Sequence, residues 1–190
     1  MATTERAPAR ERLLAAANEL FYAEGVHAVG IDRVIERAGV AKASLYNTFG
    51  SKDALVGEYL RGRQDANRER ITAAVAAAPD PRARILAVFD AQAAQFARPG
   101  YRGCAFVAAS AESEPGGTVE QVSDEYRAWL RTLLTDLARD AGAPEPEALA
   151  RRIYMLYDGA ALAVRMDRDP SVASTARETV ELLLDAALRS

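Results

Sequence analysis

The 190-residue sequence predicts an all-α fold: an N-terminal three-helix bundle containing a helix-turn-helix, followed by a larger C-terminal helical domain. Three observations predict it. Hydrophobic residues make up 49% of the chain but aromatic ones only 7%, and alanine abounds, a balance that suits packed helices better than sheets rich in β-branched and aromatic side chains. Apolar residues recur at three- and four-residue spacing along the whole length, and strand-like alternation is missing. Glycines and prolines fall between those runs, where helices stop and start.

Leu13, Ala17, Leu20 and Phe21 share one face of a first helix that stops at Gly25. Ile31, Val34, Ile35 and Ala38 repeat the spacing over barely two turns, ending at Gly39. The run 42–48 forms a third short helix with Leu45 and Phe49 inside. Ser51 is the cap of a long fourth helix over 52–78, which Pro79 ends. Asp80 and Pro81 supply a cap and a first-turn proline for a fifth, with Ile85, Leu86, Phe89, Ala93 and Phe96 on its apolar side. A short alanine-rich helix is expected over 103–113. Val119, Val122, Tyr126, Trp129, Leu130, Leu133 and Leu137 then make the most regular amphipathic stripe, reaching Gly142. The last two helices start near Pro146 and Pro170, and the first of them is apolar on two faces: Leu149, Ile153, Leu156, Ala160 and Val164 on one, Met155, Leu162 and Met166 on the other. The expected organisation is a helix-turn-helix domain over 1–51, a connecting helix over 52–78 and a second helical domain over 79–190.

The three-residue turn Gly39, Val40, Ala41 is the length that lets two short helices cross around a small core of Ile31, Val34, Ile35, Val40, Leu45 and Phe49. Lys42, Ala43, Ser44, Tyr46 and Asn47 are left pointing outward. This set suits DNA: Lys42 offers an ammonium to phosphate or guanine, Ser44 and Asn47 can bond base edges, Ala43 permits close approach to a thymine methyl, and the Tyr46 hydroxyl reaches phosphate. Lys52 opens the next helix, where free backbone amides already favour an anion. These two are the only lysines in the chain.

Residues 13–60, and above all AGVAKASLYNTFGSKDAL from Ala38 to Leu55, resemble the TetR family of transcriptional regulators. The likeness rests on Gly39, Val40, Lys42, Ala43, Tyr46, Phe49, Ser51, Lys52, Asp53 and Leu55. It departs at Ala41, often serine or proline in that family, and at Thr48, often an aromatic or histidine. The resemblance implies that Tyr46 and Lys52 contact phosphates while Lys42, Ala43, Ser44 and Asn47 face the groove. It also implies a C-terminal ligand-binding and dimerisation domain, and repression relieved by a small-molecule effector as the usual outcome.

A single recognition helix reads few base pairs, so a homodimer on a palindromic double-stranded operator is expected, its half-sites roughly 34 Å apart. Candidate interface residues are Ile153, Gly159, Ala160, Ala163, Val180, Leu183, Leu184 and Ala187, whose small members allow close helix approach. Candidate effector contacts are Phe89, Phe96, Cys104, Phe106, Tyr126, Trp129 and Tyr157, because aromatics with polar tips bury area yet can orient a ligand; the same stripes also suit plain core packing.

Other classes fare worse. The net charge of −3 excludes indiscriminate adhesion to nucleic acid; eight basic and eight acidic residues cancel over residues 1–62, so the acidity lies downstream. One histidine, His27, and one cysteine, Cys104, supply neither a nucleophile–base set nor metal-ligand spacing, so no enzyme, metal or cofactor is expected. A helical protein-interaction module that does not bind DNA remains the alternative, and a small helical enzyme the weaker one. The uncharged stretches are too short to span a bilayer, the N-terminal glutamates do not suit a signal peptide, and the lone cysteine fits a reducing cytoplasm.

Overall fold

The computed structural model describes residues 7–188, all of whose regular elements are α-helices. In order they are α1 (Ala9–Glu24), α2 (Ile31–Ala38), α3 (Lys42–Phe49), α4 (Lys52–Ala77), α5 (Pro81–Phe96), α6 (Ala105–Ala111), α7 (Thr118–Asp140), α8 (Pro146–Asp167) and α9 (Val172–Leu188). The first six residues of the expected domain 1–51, with the glutamate of the signal-peptide argument at position 5, and the last two of 79–190 lie outside the described residues.

Local chemistry explains where several of these helices begin and end. The Asp80 carboxylate accepts from the Ala83 amide at 2.8 Å, and Pro81, which has no amide hydrogen to satisfy, takes the first helical position of α5. Ser51 Oγ likewise accepts from the Ala54 amide at 3.1 Å at the start of α4. Gly39 ends α2 in the left-handed region at φ 62°, ψ 45°, and the Val40 amide reaches back to the Ile35 carbonyl, the chain reversal that only a residue without Cβ adopts cheaply. The sixth helix is shorter than the expected 103–113 at both ends; Gly103, at φ 98°, is outside the helical region and cannot be its first residue.

Packing divides the chain into two compact units that do not follow a single cut. One joins the residues up to Arg63 with Ala105–Ser123; the other joins Gln64–Cys104 with the residues from Asp124 onward. The N-terminal unit therefore holds more than the trihelical head: residues 105–123, expected in the C-terminal domain, belong to it. In that unit α1 packs on both α2 and α3 around Leu13, Ala17, Phe21, Val34 and Leu45, all buried. Ile31, Ile35, Val40 and Phe49 line the same core but stay half-buried. The Glu112 carboxylate accepts the His27 amide at 2.8 Å, and Thr118 donates to Asp53, so the second segment is tied to the first by hydrogen bonds as well as by composition of the unit.

Gly25 shows how tight that tie is. Its φ of 94° with ψ of 155° is a conformation almost confined to glycine, and a Cβ added there would meet Glu112 Oε1 at 2.6 Å. Gly25→Ala is expected to cost about 1–3 kcal/mol in urea denaturation, the usual penalty of such backbone strain.

In the C-terminal unit α9 packs against α5 and α8. Its core runs through Ile71, Ile85, Phe89, Leu130, Leu134, Leu149, Ile153, Val180 and Leu184. Among the described residues no helix is long and apolar enough to cross a membrane.

Candidate nucleic-acid interface and effector core

The helix-turn-helix is α2, the turn 39–41 and α3. Arg12, on α1, donates from Nη1 to the carbonyls of Ala38 and Gly39 at 3.1 and 2.9 Å, so a guanidinium satisfies the end of α2 and fixes the turn from behind. Sequence reasoning missed this role, which joins residues 26 and 27 positions apart. With Leu45 fully buried, α3 presents Lys42, Ala43, Tyr46 and Asn47 to solvent; Tyr46 is 46% exposed, high for so large a ring. Ser44 is half-buried, and its carbonyl accepts the Thr48 hydroxyl at 2.6 Å. The α3 N-terminus has Ala41 at its cap position and no side-chain cap, so its first-turn amides are not filled by a side chain.

Lys42 Nζ stands 3.0 Å from Asp32 Oδ1, and this partner raises the ammonium pKa, first through the hydrogen bond and then through the charge. Lys52 is half-buried and donates to the His27 carbonyl at 3.4 Å. Both lysines therefore sit on the N-terminal unit, as does every residue of the predicted DNA-contact set. Asp32 carried no signal in the sequence, because its pairing with Lys42 crosses the turn and follows no helical spacing.

The predicted effector residues divide between the units. Phe106 is buried in the N-terminal unit; the other six belong to the C-terminal one. There Tyr126 and Tyr157 meet hydroxyl to hydroxyl at 3.3 Å, Phe89 stands edge-on to Tyr157 with centroids 6.0 Å apart, and Trp129 stacks on Tyr126 at 5.9 Å. Phe96 instead packs on Tyr101 at 5.1 Å, and Cys104 is half-buried near enough to both tyrosines to act on them electrostatically. Gln92, which the periodicity did not single out, is buried beside them and donates to the Tyr157 carbonyl at 2.8 Å.

Burial raises Tyr126 to about 12 and pushes Tyr157 well above its ordinary value, so both phenols stay neutral near pH 7. An unfolded phenol ionises near pH 10, so the stability these groups supply is complete below about pH 10 and lost as pH rises from there towards 12. Urea midpoints measured between about pH 9 and 12 should therefore fall more steeply for the native chain than for Tyr126→Phe with Tyr157→Phe.

The expected interface residues have mixed positions. Ile153, Ala160, Val180 and Leu184 are buried in the core of their own unit, Ala163, Leu183 and Ala187 are half-buried, and Gly159 is exposed with open space above it. The second apolar face of α8 is the one turned outward: Met155 is 69% exposed, Leu162 50% and Met166 70%, with Leu182 of α9 also at 70%.

Comparison with known proteins bears on this site directly. Residues 13–59 match the family model described as bacterial regulatory proteins, tetR family. SCO4454, a TetR-family transcriptional regulator from Streptomyces coelicolor, is 37% identical with a TM-score of 0.89, the match covering 95% of this chain and 96% of that one. The transcriptional repressor NemR of Escherichia coli is 28% identical over 169 residues, 84% of this chain and 85% of its own. The transcriptional activator FasR of Mycolicibacterium smegmatis is 38% identical over 82 residues, which span only 37% of that protein. These relatives are regulators rather than enzymes, in keeping with the absence of a catalytic set expected from the sequence. The all-helical architecture, the match over α1 to the start of α4 and the full-length likeness to SCO4454 converge: the chain belongs to the TetR family of transcriptional regulators.

Proposed function

We propose that this regulator binds a palindromic operator as a homodimer and is released from it by a small-molecule effector. The observation that carries the reading is the outward face of α3, where Lys42, Ala43, Tyr46 and Asn47 stand clear of the core on a helix-turn-helix, with Ser44 at its edge and Lys52 at the start of α4. Repression is favoured as the outcome, since NemR, a relative aligned over most of the chain, is named a repressor. The cytoplasm, where DNA is reached and a lone cysteine stays reduced, is the proposed location.

The second copy would be held through α8 and α9. The exposed stripe Met155, Gly159, Leu162 and Met166, with Leu182, supports this, because a monomer gains nothing by leaving such a face in water. Of the residues expected there, Gly159, Ala163, Leu183 and Ala187 remain suited to contact a partner, whereas Ile153, Ala160, Val180 and Leu184 would act by holding the two helices in register. Met155→Asp with Met166→Asp is expected to yield a monomer in sedimentation equilibrium.

Phe89, Tyr126 and Tyr157, with Phe96, Cys104 and Trp129 in the same unit, are proposed to receive the effector; Phe106 stays a candidate from the other unit. The neutral phenols of Tyr126 and Tyr157 can each donate or accept, which favours a mostly apolar ligand with one hydrogen-bonding group. Its binding would favour a tilt of α4 that alters the spacing of the two recognition helices. To carry the population from nearly all bound to nearly all released, the effector must discriminate between the states by about 5 kcal/mol. Selecting bound fragments from random duplex DNA with purified protein tests the core of this reading: a palindromic consensus is expected, and retention of no sequence above background would overturn it.

A further inference from the structure

Among the described residues of the N-terminal unit, basic side chains are already engaged. Arg33 pairs with Glu24 at 2.6 Å, Arg37 with Glu19 at 2.7 Å, and Arg10 and Arg61 flank Glu58 at 2.5 and 2.9 Å. Arg63 lies over the Tyr22 ring at 3.8 Å. Among them the Lys42–Asp32 pair stands apart in position, because it lies at the first residue of α3, the end of a recognition helix that meets base edges. Its two side chains are 61% and 84% exposed, so the pair contributes little to folding and its placement needs another reason.

The chemistry of the two acceptors that DNA offers supplies one. An ammonium has three donors, so Lys42 can keep its bond to Asp32 and still donate to guanine N7 or O6, which are neutral. A phosphate is different: it brings a full negative charge towards the Asp32 carboxylate, and must either tolerate that repulsion or strip Lys42 away from it. We infer that Asp32 is a specificity-determining residue that reserves Lys42 for a base acceptor and denies it to the phosphate backbone. The inference rests on the reading of α3 as the recognition helix. It also fits a head whose charges cancel over residues 1–62: with Arg10, Arg33, Arg37, Lys42 and Arg61 each paired to an acid, non-specific adhesion is weak and sequence contributes a larger share of binding.

The test uses the full-length protein, the operator recovered by random-duplex selection and a scrambled duplex of equal length, with affinities measured between 50 and 200 mM salt. Asp32→Asn should tighten the scrambled duplex and steepen its salt dependence by about one phosphate contact, roughly a further threefold loss of affinity over that fourfold salt range. Operator affinity should change less than the scrambled value, so the ratio between them falls, and the selected consensus should relax at one base pair. The effect should vanish in a Lys42→Ala background, and Asp32→Glu should restore most of the ratio. Equal tightening of both duplexes, or persistence without Lys42, would show a general charge effect and overturn the inference. Loss of operator binding in Asp32→Asn, with its melting temperature unchanged, would overturn it too, by making the carboxylate itself a contact to a cytosine amino group. A native protein that selects no sequence would defeat the regulatory reading itself, an outcome distinct from failure of the Asp32 variants alone.

Discussion

Replacing both lysines, Lys42→Ala with Lys52→Ala, should weaken operator binding by at least about thirtyfold at roughly 100 mM salt and flatten its salt dependence by about one contact, that of Lys52. The magnitude follows from two charge-assisted hydrogen bonds, each worth about 1–3 kcal/mol, at positions the fold presents rather than buries. Lys42 opens α3 on the outward face, and Lys52 opens α4 with its ammonium already directed at the loop carrying His27. Neither side chain fills the core, so the thermal midpoint of the double variant should stay within a few degrees of the native one. Electrophoretic mobility shift across a salt series, with circular dichroism melting in parallel, measures both quantities. Unchanged DNA affinity would return the chain to the rival reading of a helical module for protein contacts.

Phe89→Ala should have the largest effect on stability, a loss of about 3–5 kcal/mol, because it removes a nearly fully buried ring and leaves a cavity its neighbours cannot close. At this chain length that corresponds to a fall of roughly 6–20 °C in the melting temperature. The ring stands edge-on to Tyr157, whose carbonyl is held by Gln92, so the hole would open beside the hydrogen-bonded tyrosine pair. Differential scanning calorimetry measures the loss. A second variant, Phe89→Leu, separates packing from recognition. If Phe89 only packs, effector titrations of Phe89→Leu, which keeps most of the volume, will match the native protein; if the ring contacts the effector, Phe89→Leu will hold the operator normally and respond to the effector at higher concentration.

What was readable from the sequence was what neighbours in the chain decide. The start of α5 is written in Asp80 and Pro81, and the end of α2 in Gly39, because caps and turns act over three or four residues. The outward face of α3 was legible for the same reason: with Leu45 and Phe49 turned inward, Ala43, Tyr46 and Asn47 fall on other sides of the helix, and Lys42 is exposed as its first residue. Long-range pairings left no such trace. Arg12 at the end of α2, Asp32 beside Lys42 and Glu112 on the His27 amide follow from the fold, not from spacing. The two-faced α8 was visible as such, but which face turns inward depends on α5 and α9, and Ile153 and Ala160 proved to be on the inner side while Met155 and Met166 lie outside. Aromatic periodicity likewise found the members of the tyrosine core without revealing that Phe106 belongs to another unit.

A head assembled from two stretches of sequence cannot be excised with one pair of scissors. A peptide stopping at residue 63 would retain every side chain of the reading surface yet lack Glu112 and Thr118, leaving the His27 amide and the Asp53 carboxylate to water. Limited proteolysis in the non-helical stretches on either side of α6, 97–104 and 112–117, should therefore loosen DNA contact although no base-reading residue has been removed.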